Sequence, residues 1–307
     1  MQVILDPTEN DIAQAVETVI QKRPMLEPIV RSFAEILLEK TRIAGLLEVE
    51  PAASHLSISA DRLSQGVPLL AETSLDVLRD QLNRSLRAML AVLRKAFSHL
   101  DAGFSSIESL HHRGQLDLCK LSRASLDGQT SVLSAAAETA KAPEGILELA
   151  LHYALSTVLK SLEPALRSCA EEVQWSRGYC PICGSMPSIS VLAEAGDLGS
   201  EFLKKGGGQR VLHCSLCSHD WRFMRNRCPA CDVEDNDLRL YFQLEEERSE
   251  RVDVCRNCNG YLPCIDLRET SHRLPTDIAV VSMLHFDVWA AEKGYHPLAR
   301  TPWNLVL

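Results

Sequence analysis

The chain has 307 residues, 46% apolar and 24% charged, values of a folded protein of two or three units that exclude a disordered or fibrous chain. Its 32 Lys and Arg stand against 41 Asp and Glu, a formal charge of −9, which argues against a protein built to grip phosphate backbones. No long apolar run occurs, and the opening MQVILDPTEN lacks the basic and apolar regions of a signal peptide, so a cytoplasmic protein without a membrane span is expected.

The first 172 residues read as helices. Asp6-Pro7-Thr8-Glu9 supplies a capping acid, a first-turn proline and a Glu three residues after the cap, ahead of Ile12, Ala15, Val16 and Val19. Shorter helices are expected around 27–47, 105–120 and 129–141. The clearest runs from Ser74 to Leu100, where Leu75, Leu78, Leu82, Leu86, Met89, Leu90, Leu93, Phe97 and Leu100 fall on one face. Pro143 opens a last one through Ile146, Leu147, Tyr153, Val158 and Leu162. Nothing in this half demands chemistry. His55, His99, His111, His112 and His152 have no partner ligands at helical spacing, and Cys119 and Cys169 read as buried small hydrophobes.

The composition changes near residue 173, because nine of the eleven cysteines lie between Cys180 and Cys264. Eight form four pairs of one spacing: Cys180 with Cys183, Cys214 with Cys217, Cys228 with Cys231, and Cys255 with Cys258. Two residues between cysteines make a turn that aims both thiolates at one ion, and two such turns complete a tetrahedral four-sulfur site. Eight ligands therefore imply two metal ions per chain, and four repeated pairs outside a strand-to-helix junction argue against a thioredoxin-like redox motif.

Between and after the pairs, the apolar run Met186–Leu192, the turn Gly206–Gly208, Arg210–His213, Trp221–Phe223, the alternating Leu238, Leu240, Phe242 and Leu244, the acidic turn Glu245–Glu247, Arg251–Val254 and Tyr261–Pro263 read as strands and turns. The unit knuckle, strand, turn, strand, knuckle, strand thus occurs twice. That repetition favours pairing of adjacent knuckles over a cross-brace, as in zinc-ribbon or rubredoxin modules that rely on metal to fold. Four thiolates accept zinc and iron alike. Cys264 reads as a strand residue packed inward rather than a spare ligand or redox thiol, and His213 and His219 as groups behind the ligands or at the surface. Arg222, Arg225 and Arg227 beside Trp221 and Phe223 suggest a single-stranded nucleic-acid patch. Residues 173–271 nevertheless carry 12 Lys and Arg against 15 Asp and Glu, which favours a linker or a protein-contact stretch. Finally, Thr276-Asp277 reads as the cap of a helix running through Val281, Leu284 and Trp289 to Gly294.

The expected architecture is α+β: an all-helical domain over 1–172, two four-cysteine rubredoxin-like modules over 173–225 and 226–272, and a C-terminal helix and tail over 273–307. No GxxxxGK, GxSxG or HExxH motif occurs, and complete cysteine pairs suggest closed sites without a position for catalytic water, so no enzymatic activity is expected.

An acidic helical half followed by CPICGSMP, HCSLCSHDWRFMRNRCPACD and CRNCNGYLPCID resembles the formate dehydrogenase accessory protein family, FdhE. Where that family often continues Tyr-Leu with Lys, this chain has Pro263-Cys264. The resemblance implies a cytoplasmic protein with rubredoxin-like sites, iron favoured slightly over zinc. Their ligands would be Cys180, Cys183, Cys214, Cys217, Cys228, Cys231, Cys255 and Cys258. It also implies binding to the catalytic subunit of a respiratory formate dehydrogenase in support of its maturation, with no nucleic-acid or membrane partner and a homo-oligomer possible. A rubredoxin-like electron carrier is the second expectation, and a zinc-ribbon nucleic-acid factor the third.

Overall fold

The computed structural model describes residues 8–49, 54–56, 58–193, 208–270 and 274–304. Asp6, Pro7, Gly206 and Gly207, which the sequence assigned to a helix cap and a turn, lie outside those residues.

The helical half is built around one long element. Helix α1 (Glu9–Lys22) packs on α2 (Glu27–Leu46), which together with α3 (Ala60–Ser64), α4 (Arg79–Ala96), α5 (Asp101–His112), α6 (Leu118–Leu126) and α7 (Thr130–Ala140) surrounds α8 (Glu144–Glu171). Leu151, Tyr153, Leu155, Val158 and Leu159 of α8 are all buried, the mark of a helix enclosed on every side. Helix α1 is capped by Thr8, whose hydroxyl accepts from the Asp11 amide while the Asp11 carboxylate accepts from the Thr8 amide. The cap is therefore Thr8, one turn before an Asp, which closes the reciprocal pair of a capping box. The helix expected over 105–120 is two, because Gly114 adopts φ +67° and Asp117 caps a new start through the Lys120 amide.

Six strands make the body of one sheet: β1 (Ile189–Ala193), β2 (Gln209–His213), β3 (Asp220–Phe223), β4 (Arg239–Leu244), β5 (Glu247–Cys255) and β6 (Gly260–Asp266). Their order is β3-β2-β1-β6-β5-β4, so each half is an antiparallel meander and the halves meet where β1 and β6 pair in parallel through Ser190–Cys264, Val191–Ile265 and Leu192–Asp266. The repeat is present in each half, but the first strand of one joins the last strand of the other. Strand β4 departs from its alternating pattern: as the sheet's outer strand it leaves Tyr241, Phe242 and Leu244 exposed rather than covering one face.

The chain then returns over the helices. Helices α9 (Thr276–Ser282) and α10 (Leu284–Glu292) follow the sheet, α9 against α1 and α2, and the two-residue strand β7 (His296–Pro297) pairs with β6. The sequence suggested a single helix. One apolar core runs from the helices into the sheet.

Candidate metal centres

The four knuckles share a backbone device that explains their sequences. In the first three, the residue after the second cysteine donates its amide to the carbonyl of the first: Gly184 to Cys180 at 2.9 Å, Ser218 to Cys214 at 2.7 Å and Asp232 to Cys228 at 3.0 Å. That residue takes a left-handed conformation in all four, with φ of +82° at Gly184, +63° at Ser218, +60° at Asp232 and +55° at Asn259. Gly, Asp and Asn enter this region at least cost, glycine having no Cβ and the other two a side chain that bonds locally. The fifth position of each knuckle was the missed signal: Gly, Ser, Asp and Asn recur there as turn formers.

The knuckles assemble in adjacent pairs. Sulfurs of Cys180, Cys183, Cys214 and Cys217 lie within 4.8 Å of one another, and so do those of Cys228, Cys231, Cys255 and Cys258. The shortest separations are 3.5 Å for Cys180–Cys217 and Cys183–Cys214, 3.6 Å for Cys231–Cys255 and 3.8 Å for Cys228–Cys258. A tetrahedron with metal–sulfur bonds of about 2.3 Å has edges of about 3.8 Å, so both groups fit one ion with small adjustments. All eight cysteines are free of disulfides.

Each group also contains one thiol poised to ionise. Hydrogen bonds from the neighbouring cysteines hold Cys183 well below the usual thiol value. Burial opposes ionisation of Cys231, but the Asn257 side chain and the Val233 amide bring it to about 7. The remaining thiol shifts include Cys180 and Cys217, pushed up by burial, and Cys258, pushed up to about 11 by the same cause. The groups differ in access: Cys180, Cys183, Cys214 and Cys217 are buried, whereas Cys231 and Cys258 in the second group are partly open.

Charged side chains from the helices are buried behind the first group. Lys40 of α2, 2% exposed, donates to the Ser215 carbonyl in the second knuckle at 3.3 Å and lies 3.8 Å from Asp277. Asp277 approaches Nε2 of His213 at 3.4 Å, and Nδ1 of His213 lies 2.7 Å from Asp220. Burial resists the imidazolium, yet the two carboxylates raise His213 to about 10. His219 is bound to Glu163 of α8 at 2.8 Å and stacks on Trp221. Both histidines are therefore buried links beside the ligands. Asp277 does not cap α9, whose N-cap is Pro275 without a side-chain bond; its carboxylate turns into this cluster.

Lys40 and Glu163 were not recognised in the sequence. Lys40 occupies a core position of α2, flanked by buried Ile36, Leu37, Ile43 and Ala44, and Glu163 sits among Leu159, Leu162 and Leu166. A charge in phase with an apolar helix face was the available signal.

Other expected residues separate from the centres. Cys264 is fully buried in β6 and belongs to neither group, as its inward packing required. Burial pushes its thiol to about 11. Trp221 and Phe223 are 6% and 7% exposed, which removes the aromatic component of the expected protein contact; Arg222, Met224 and Arg225 remain at the surface. Among the described residues, no helix is long and apolar enough to cross a membrane.

Residues 179–225 match the family described as "FdhE, central domain". The chain is 33% identical over 149 residues to an FdhE homolog from Aquifex aeolicus (strain VF5), covering 47% of this chain and 49% of that protein. It is 31% identical over 177 residues to FdhE from Salmonella arizonae, covering 58% and 50%. The matches therefore span about half the length of these curated relatives. A crystal structure of FdhE from Pseudomonas aeruginosa has the same fold, with a TM-score of 0.67 over 99% of this chain and 98% of the other at 22% identity. The family suggested by the cysteine knuckles is the one these comparisons return.

Proposed function

We propose that this chain, similar to FdhE proteins in its cysteine core and in its fold, is a cytoplasmic metal-binding accessory protein. In this reading it engages the catalytic subunit of a formate dehydrogenase and supports that enzyme's maturation. The observation that carries it is the pair of closed four-sulfur groups on one sheet, within a chain whose relatives are named FdhE. Cys180, Cys183, Cys214 and Cys217 would hold one ion, and Cys228, Cys231, Cys255 and Cys258 the other. With all four positions taken by protein sulfur, such an ion offers no site for substrate or water, and supplies either structural cross-linking or, as iron, a single-electron couple. Recognition of another protein is then the activity left for the surface.

The test is purification of the tagged chain from cells making a respiratory formate dehydrogenase, together with formate oxidation in a strain lacking the gene. Recovery of the catalytic subunit, and loss of formate oxidation with the subunit still synthesised, is the expected result. Normal oxidation with no complex between purified partners overturns it.

A second reading has one observation in its favour. The partial exposure of Cys231 and Cys258 brings the second group to the surface, as an electron carrier requires. A visible spectrum bleached reversibly by reductant, with iron in that group, distinguishes it from the accessory role.

A further inference from the structure

A cavity of about 260 Å³ opens beside the second cysteine group, under strands β4 to β6, and its wall holds Arg210, Arg225, Arg227, Arg239 and Arg251 with Asp253 as the carboxylate among its described residues. Two guanidiniums share that carboxylate: Nη2 of Arg210 lies 3.2 Å from Asp253 and Nε of Arg251 lies 3.0 Å from it. Arg227 pairs with Glu234 at 2.7 Å. Arg225 and Arg239 have no carboxylate at ion-pair distance among the described residues. Their hydrogen bonds go to neutral acceptors, from Arg225 to the Gly208 carbonyl at 3.3 Å, and from Arg239 to the Arg225 carbonyl at 3.1 Å and the Asn236 side chain at 2.7 Å.

The cluster is strongly unbalanced. Nε of Arg210, in a residue 5% exposed, and Nε of Arg239 are buried with no hydrogen-bond partner. Burial, then the charges of Arg268 and Arg251, depress Arg225 below the ordinary guanidinium value. Once Asp253, Glu234 and Asp232, the last 3.9 Å from Arg227, are set against the five arginines, two positive charges remain. The adjacent group, as one divalent ion with four thiolates, would carry a net charge of roughly −2, which balances the total charge but gives the buried Nε donors of Arg210 and Arg239 no oxygen to bond. Buried donors without partners, as the Nε of Arg210 and of Arg239 are, are costly, and the guanidinium fork matches the oxygens of a phosphate with two parallel bonds. Leu240, Val254, Leu262 and Leu298 give the cavity an apolar side, and its volume approaches that of sites holding small molecules.

We propose that this cavity binds a small phosphorylated molecule. Its phosphate takes the free donors of Arg225, Arg239 and Arg210, and its organic part lies on the apolar side. This site is separate from recognition of the dehydrogenase and stands whether or not that role holds.

The experiment is calorimetric titration of the full, metal-loaded chain with inorganic pyrophosphate at low ionic strength, with succinate as the carboxylate counterpart. Pyrophosphate is expected to bind once per chain and to weaken with salt. Arg225→Gln should weaken it roughly tenfold or more with metal content unchanged, and Arg113→Gln, on the helical half, should not. Absence of pyrophosphate binding to loaded protein shows that the arginines serve only to balance the thiolates, and overturns the proposal. So does equal affinity in Arg225→Gln. Succinate binding as tight as pyrophosphate overturns the phosphate assignment in favour of a carboxylate. Because Arg239 ties down the Arg225 carbonyl and variants there can perturb the fold, phenylglyoxal labelling of the unmutated protein is the second measurement. Pyrophosphate should protect Arg225 and Arg239 from modification, and unchanged labelling of both refutes the site.

Discussion

Replacement of Lys40 by Met tests whether the helices are fixed to the first metal centre by buried charge. The ammonium is 2% exposed, bonds the Ser215 carbonyl in the second knuckle at 3.3 Å and stands 3.8 Å from Asp277. Met keeps most of the volume, so the change isolates the charge. Removing one member of a buried pair costs about 3–5 kcal/mol because the other is left uncompensated. Asp277 retains His213 at 3.4 Å, which places the expected loss near the lower end, at about 3 kcal/mol, or roughly 6–12 °C in Tm. Burial lowers the Lys40 pKa, opposed first by Asp277 and then by Cys214 and Cys217, so to the extent that the ammonium stays charged the nearby thiolates also lose a positive neighbour. Metal affinity should therefore fall together with stability. Urea unfolding and zinc or iron analysis of the loaded protein are the assays. Lys40→Met combined with Asp277→Leu should recover much of the loss, because an apolar pair satisfies the site once both charges are gone. A single Lys40→Met variant as stable and as well loaded as the parent would refute the reasoning.

Three further outcomes are expected. A Cβ on Gly178 would lie 1.9 Å from the Pro229 carbonyl oxygen, so Gly178→Ala should displace the third knuckle and release one metal equivalent; two retained ions by elemental analysis would contradict this. A chelator with a colorimetric readout should remove the ions in two phases, the second group first, because Cys231 and Cys258 are partly open while the first group is buried; a single phase counts against the asymmetry. Burial raises Asp287 from 3.8 to about 6, with Tyr261 donating to it at 2.5 Å. Its folded value lies above the unfolded one, so its contribution is most favourable below pH 3.8 and is lost as pH rises through 6. Asp287→Asn should flatten that part of the stability profile and gain up to about 3 kcal/mol at pH 8. An unchanged slope in denaturant titrations between pH 4 and 7 rejects this.

The cysteine centres were legible because a two-residue spacing encodes a turn, and the repeat of knuckle and strand encodes which turns meet. Helix positions were legible from apolar periodicity over 79–96 and 144–171 for the same reason: local geometry fixes the spacing. What the sequence concealed depends on distant partners. The alternation of Leu238, Leu240, Phe242 and Leu244 implied a half-buried strand, but β4 lies at one edge of the sheet, where Leu240 packs on the core and Phe242 meets Trp289 while Leu244 stays exposed. Asp277 looked like a cap because it precedes an apolar helix; a histidine 64 positions earlier and a lysine in α2 claim it instead. The parallel pairing of β1 with β6 joins segments more than 70 residues apart, and no local pattern announces it.

The two centres are unequal, and their inequality gives each a distinct place in the proposed function. Around the first, buried bonds from Lys40 of α2 and Glu163 of α8 reach residues inside and just beyond the second knuckle, while Leu69 and Leu70 bond the carbonyls of Pro181 and Ile182 in the first. An ion there would complete the junction between helices and sheet, and its loss would loosen both. Around the second, two of the four cysteines are partly open, the edge strand β4 leaves Tyr241 and Leu244 exposed, and the adjoining cavity is lined by five arginines. Electron exchange through an exposed sulfur would have to occur on this side, because all four sulfurs of the first group are buried. Substitution at the first group should therefore weaken every property of the protein through folding. At the second, Cys231→Ser or Cys258→Ser should remove its metal and any associated activity while the helical half keeps its unfolding transition, and simultaneous loss of that transition would contradict this division.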